Sequence, residues 1–123
     1  MIKAKCHCGA VRIEMDAAPE TVTACNCSMC AKLGTLWAHY RPDQVRIEAG
    51  PDTIGDYVWG DRMLTFHHCR TCGCATHWSP TDPGVDRMAV NARLVEGHER
   101  FPVVYFNGAD DSSYASRNAA NRR

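Results

Sequence analysis

This sequence encodes a mainly β domain with one short helix. Three features say so: short runs rich in β-branched and aromatic residues recur along the chain, Gly, Pro, Asn and Asp punctuate them, and no long amphipathic pattern intervenes. A parallel sheet built from strand–helix–strand units needs a crossover helix at each step, so that class is disfavoured. The first expected strand, 11–15, alternates Val11, Ile13 and Met15 with Arg12 and Glu14, which puts one face on a core and the other in water. The run 28–33 is the helical candidate, with Ser28 as N-cap and Gly34 as its stop. Further strands are expected at 36–40, where Trp37 and Tyr40 stand, at 45–48, 63–67 and 87–91, and at 103–106, which reads Val103-Val104-Tyr105-Phe106. Residues 49–52, 59–61 and 79–84 hold the turn formers between them.

With 123 residues and 13.7 kDa, 45% hydrophobic and 23% charged, the chain has the makeup of one domain, expected over residues 1–110 and followed by a polar tail at 111–123. A chain of this size can bury roughly two thirds of its unfolded surface. Fourteen Lys and Arg balance fourteen Asp and Glu, which removes the basic field of a dedicated nucleic-acid binder. No stretch approaches the roughly 20 apolar residues of a membrane span. No apolar run follows Lys3 and Lys5, as a secretory leader would require. The expectation is a cytoplasmic protein in a reducing compartment, where its eight cysteines are read as metal ligands before disulfides.

These cysteines fall into three groups: Cys6 with Cys8, Cys25 with Cys27 and Cys30, and Cys69 with Cys72 and Cys74. Spacings of two and three residues let neighbouring thiolates converge on one ion from a tight turn, and zinc with sulfur ligands at about 2.3 Å is the default occupant. Gly9 and Gly73 follow Cys8 and Cys72, where a ligand turn reverses and a positive φ is needed. Two such turns make a closed zinc site from Cys6, Cys8, Cys69 and Cys72, tying together segments about sixty residues apart. Cys25, Cys27 and Cys30 then supply three ligands of a second zinc, whose open fourth position is the pattern of a reactive centre. Cys74 decides between two outcomes. As a fourth ligand it closes the second site and makes it structural; otherwise it is a small buried hydrophobe.

Three thiolates over-neutralise a zinc ion, so it is a weaker Lewis acid than one held by imidazoles, and its bound water is harder to ionise. Hydrolysis is disfavoured on that ground. Capture of an incoming thiol, held as thiolate and nucleophilic at neutral pH, suits such a centre better.

The ordered set Cys6-His7-Cys8-Gly9-Ala10-Val11, Cys25-Asn26-Cys27-Ser28-Met29-Cys30, Trp59-Gly60, Cys69-Arg70-Thr71-Cys72-Gly73 and Arg87-Met88-Ala89-Val90-Asn91-Ala92-Arg93 resembles the family of glutathione-dependent formaldehyde-activating enzymes and centromere protein V. The likeness runs over about residues 3–110. It implies a zinc-bearing β-tent of two antiparallel sheets with few helices, structural zinc on Cys6, Cys8, Cys69 and Cys72, and active-site zinc on Cys25, Cys27 and Cys30. It also implies a carbon-sulfur lyase chemistry, in which glutathione or a related thiol and formaldehyde or another small aldehyde combine to an S-hydroxymethyl adduct. This chain is shorter than the enzyme for which the family is named, so fold and metals carry over more readily than the reaction. Two other classes stay open: a non-catalytic zinc-stabilised binding module, and a zinc- and thiol-based redox-responsive protein. Nucleic-acid binding, raised only by the centromere protein, draws no support from the neutral charge.

Among other residues, His67, His68 and His77 flank the third cysteine group, and one imidazole, with His68 the catalytic candidate, would carry a proton or reach the second zinc. In a strand, His67 and His68 point to opposite faces, so one at most enters a given site. Trp37, Tyr40, Tyr57, Trp59 and Trp78 either wall a small cleft or fill the core. Asn91 and Arg93 alternate with Val90, Ala92 and Leu94, which puts both on a polar face as candidates for holding a glutathione carboxylate.

Overall fold

The computed structural model describes residues 1–109, and the tail expected at 111–123 lies outside them. In chain order the elements are β1 (Ile2–Lys5), β2 (Val11–Met15), β3 (Val22–Cys25), α1 (Ser28–Leu33), β4 (Trp37–Tyr40), β5 (Val45–Ala49), β6 (Ile54–Val58), β7 (Leu64–Cys69), β8 (Ala75–Pro80), β9 (Met88–Asn91) and β10 (Val103–Phe106), with short 3-10 turns between some of them. They form two sheets: a three-stranded one in the order β1-β2-β5 and a seven-stranded one in the order β10-β3-β4-β9-β8-β7-β6. Both sheets are antiparallel as expected, except at one edge. β10 runs parallel to β3, with Val103 opposite Val22 and Phe106 opposite Cys25, because the chain leaves β9 and crosses over β4 and β3 to reach the sheet edge rather than turning back in a hairpin.

Alternation in β2 buries Val11, Ile13 and Met15 and exposes Arg12, while cross-strand pairs set Arg12 near Glu48 and Glu14 near Arg46 on the outer face. The inner face of this small sheet packs on one face of the large sheet through Val22, Ala38, Tyr40, Met88 and Val90. The opposite face of the large sheet carries Trp37, Phe66, Trp78 and Ala89, packed with Cys27 and Cys30 at the start of α1. β9, with all four residues buried, is covered on both sides. The molecule is therefore layered: small sheet, large sheet, then the helix and its cysteines.

α1 ends as the sequence predicts, with Gly34 left-handed at φ 69 and its N–H bonded to the Cys30 carbonyl. Its start differs. The N-cap is Cys27, not Ser28, and the Cys27 sulfur accepts from the Cys30 amide at 3.3 Å. Among the described residues, no helix is long and apolar enough to cross a membrane.

Candidate metal centre

Two turns build the first cysteine cluster. The β1–β2 turn closes with the Gly9 amide on the Cys6 carbonyl at 3.0 Å, and the β7–β8 turn with the Gly73 amide on the Cys69 carbonyl at 2.9 Å. Both glycines are left-handed, at φ 81 and 83, as a ligand turn requires. Cys6 and Cys69 are fully buried, and the four sulfurs of Cys6, Cys8, Cys69 and Cys72 lie within 4.8 Å of one another. Cys6 and Cys8 sulfurs are 3.7 Å apart and Cys8 and Cys69 sulfurs 3.6 Å. Four sulfurs at about 2.3 Å around a tetrahedral zinc stand about 3.8 Å from one another, so the spacing fits that ion. The Cys74 and Cys8 backbone amides push the Cys72 thiol down to about 5, and the Cys72 and Thr71 amides lower Cys69. The Ala10 amide favours the Cys8 thiolate, but desolvation and the neighbouring sulfurs push that thiol up to about 11. Four thiolates there need a cation to coexist.

The second cluster sits at the junction of β3 and α1. Cys25 ends the strand, Cys27 caps the helix and Cys30 faces inward from its first turn, so six residues of chain bring three sulfurs within 4.8 Å of one another. Each sulfur accepts one N–H: Cys25 from the Cys27 amide at 3.4 Å, Cys27 from the Cys30 amide at 3.3 Å, and Cys30 from the Trp37 indole at 3.3 Å. Such donors stabilise thiolates and fix their direction. Even so, the Cys25 and Cys27 sulfurs raise the Cys30 thiol well above its ordinary value, and the Cys27 sulfur raises Cys25. A divalent cation resolves that crowding, and an all-sulfur donor set suits zinc.

Cys74 joins neither metal group. It packs on the inter-sheet core beside the first cluster. The His7 amide favours its thiolate, but burial and the Cys72 and Cys6 sulfurs raise the thiol. The second cluster accordingly offers three protein sulfurs and no fourth ligand among the described residues.

The histidines divide by face, as the alternation predicts. His67 lies on the face away from Phe66 and Trp78, held between Asp56 at 2.7 Å and Ser79 at 2.6 Å and stacked on His77 at 4.2 Å. Ser79, His67 and Asp56 thus form a hydrogen-bonded chain across β8, β7 and β6. His68 lies over Gly55, where a Cβ would stand 2.5 Å from its ring. Among the described residues, no hydrogen bond, ion pair or ring contact joins His68 to the second cluster.

Asn91 and Arg93 do not share a polar face, because β9 ends at Asn91 and the chain turns into a 3-10 turn at Ala92. Asn91 is buried, and its amide serves the backbone: it accepts from Leu36 and Arg93 amides and donates to the Ala75 carbonyl at 2.9 Å. Its Oδ1 is taken by two backbone amides and one of its two Nδ2 hydrogens by the Ala75 carbonyl, so the side chain is held mainly by the backbone around it. Arg93 is exposed and bonds the Gly34 carbonyl at the end of α1. Of the aromatics, Trp37, Tyr40 and Trp78 are core, whereas Tyr57 is 52% exposed and Trp59 half-buried beside α1.

Four further residues shape the second cluster without a ligand-type signal in the sequence. Trp37, a core residue, also donates its indole N–H to the Cys30 sulfur. Gly108 is buried against Cys25, so closely that a Cβ would stand 2.6 Å from its sulfur. Asn26 and Asn107 tie that segment down, with an amide-to-carbonyl bond of 2.8 Å and the Ala109 amide on the Asn26 oxygen at 3.0 Å. The pair Asn107-Gly108 is a turn signal, the one local clue available.

These features define a small, mainly β protein with two cysteine clusters, each able to hold a metal ion. Over residues 1–105 the sequence matches the profile of the glutathione-dependent formaldehyde-activating enzymes, and the chain belongs to that family. Its fold is similar to the crystal structure of a Rhodobacter sphaeroides protein, with a TM-score of 0.69 and 31% sequence identity over 84% of this chain and 100% of that one.

Proposed function

We propose that the protein is a zinc-dependent carbon-sulfur lyase acting in the direction of addition. It joins the thiol of glutathione, or of a related small thiol, to formaldehyde or another small aldehyde. The observation that carries this reading is the second cluster, three sulfurs with no fourth protein ligand among the described residues, in a chain of this family. Cys6, Cys8, Cys69 and Cys72 would hold a structural zinc and Cys25, Cys27 and Cys30 a second one. A zinc ion on the second set supplies charge that keeps an incoming thiol ionised at neutral pH. The Cys27 and Cys30 amides and the Trp37 indole hold the three ligand sulfurs in place.

In the reaction, the substrate sulfur forms a bond to the aldehyde carbon as the carbon–oxygen π bond opens. The thiol proton leaves to solvent and the new alkoxide takes one from water, giving the S-hydroxymethyl adduct. His68 lies over Gly55 rather than at the sulfurs, so proton exchange with water fits this site better than a histidine relay. Eight unpaired cysteines suit a reducing compartment, and we place the protein in the cytoplasm.

A non-catalytic binding module keeps one observation in its favour, the covering of Cys25 by Gly108. The two readings part in one experiment. Carbon-13 formaldehyde and glutathione are mixed with zinc-loaded protein, and adduct formation is followed by NMR. The lyase reading expects a rate that scales with protein and is lost in Cys27→Ser; a rate equal to buffer alone overturns it.

A further inference from the structure

Beside α1 lies a cleft of about 260 Å³ lined by Ser28, Met29, Lys32, Tyr57 and Trp59. It adjoins the second cysteine cluster, because Met29 and Trp59 pack against the buried group that contains Cys27 and Cys30. Its walls combine a half-buried indole, a largely exposed phenol ring and a thioether, which suit a ligand with flat, peptide-like groups. One charge stands in it. Lys32, in the last turn of α1, is exposed and makes no ion pair among the described residues. The Ser28 hydroxyl adds a neutral polar group with no hydrogen bond of its own among those residues. An unpaired cation on an aromatic-walled cleft next to three metal-ligating sulfurs is complementary to a thiol that carries a carboxylate at some distance from its sulfur.

We propose that this cleft selects the thiol substrate, with Lys32 receiving a carboxylate of a glutathione-like peptide while Tyr57 and Trp59 flank its amide groups. The proposal rests on the thiol-addition reading and adds to it the residues that choose among thiols. A small neutral thiol reaches the cluster without using Lys32. An anionic peptide thiol gains the ion pair and the aromatic contact, and the open mouth of the cleft keeps that gain modest. Lys32 is a specificity residue here, since it touches the end of the substrate remote from the reacting sulfur.

S-methylglutathione separates the cleft from the metal, because its sulfur has no ionisable proton. Its binding to the zinc-loaded full chain is measured by calorimetry, beside that of its dimethyl ester, in which both carboxylates are masked. Lys32→Glu is expected to weaken S-methylglutathione about tenfold and Lys32→Gln about threefold, with the ester unchanged or slightly tighter. No binding of S-methylglutathione, or equal effects on acid and ester, overturns the cleft assignment. The addition reaction is then run with glutathione and with mercaptoethanol. No acceleration with either thiol removes the underlying reading while the binding result stands for the cleft. Acceleration with both, and a KM for glutathione no more sensitive to Lys32→Glu than that for mercaptoethanol, removes the cleft assignment alone.

Discussion

Gly108 sits where the second cluster has no room to give. A Cβ added there would meet the Cys25 sulfur at 2.6 Å, the Phe106 ring at 3.3 Å and the Cys27 Cβ at 3.4 Å. The sulfur cannot yield as the tip of a flexible side chain would, since the Cys27 amide holds it at 3.4 Å and the other two sulfurs crowd it. Gly108→Ala therefore has to move either Cys25 or the segment that Asn26 ties down. We expect second-site zinc affinity to fall tenfold or more, in the range seen when groups that orient metal ligands are lost, with zinc content after dialysis dropping from two ions toward one. Two ions held with wild-type resistance to a chelator would contradict this. The seven candidate ligands were legible because spacing within a turn is a local property. Gly108 and the Trp37 donor were not, because one reaches Cys25 only through the pairing of β10 with β3 and the other reaches Cys30 from the next strand. Asn91 shows what polarity alone does not reveal: its side chain bonds the Leu36 amide and the Ala75 carbonyl, two backbone groups distant in sequence.

At the scale of elements, the pairing of β7 with β8 buries a histidine. His77 is 5% exposed, and burial, followed by the neighbouring His67, pushes its pKa down to about 3 from an ordinary 6.5. The folded chain thus keeps His77 neutral where the unfolded chain binds a proton. Its contribution to stability is fully present above about pH 6.5 and is lost progressively as pH falls toward about 3. His77→Gln removes the titration, so its urea midpoint should fall less than that of the wild type between about pH 7 and pH 5. Parallel slopes for the two proteins, measured with zinc present throughout, would show that His77 does not titrate in this way. The strands foreseen at 11–15 and 103–106 match the structure at both ends, and those at 36–40, 45–48, 63–67 and 87–91 lie within one or two residues of it. β1, β3, β6 and β8 went unread for physical reasons. β1 is four residues long with two lysines, β3 runs into a ligand turn, and β6 holds Gly55, which makes room for His68. β8 carries Thr76 and His77 at fully covered positions, polar groups that pair with each other at 2.9 Å, and it ends in Pro80.

For the whole molecule, the two clusters carry unequal loads. The first joins the β1–β2 turn of the small sheet to the β7–β8 turn of the large one, and its Cys6 and Cys69 belong to the core between the sheets. The second lies within residues 25–30, on the outer face of the large sheet, and leaves that inter-sheet core untouched. With both zincs bound and seven thiolates ionised, the formally neutral chain carries a charge near about −3. A structural zinc contributes on the order of 10 kcal/mol of apparent binding free energy, comparable with the roughly 5–15 kcal/mol that holds a domain folded. Cys69→Ser leaves a buried hydroxyl in place of a ligand sulfur and removes that coupling between the sheets. The protein should then unfold or aggregate, with loss of its β circular dichroism and of both zincs. Cys27→Ser should keep the spectrum, retain one zinc per chain and lose the addition activity, its melting temperature falling by only several degrees because the core between the sheets remains intact. Circular dichroism melts and zinc content on the two variants decide the matter. Equal loss of fold in both would mean that the second cluster is as structural as the first, and would favour the binding module over the enzyme.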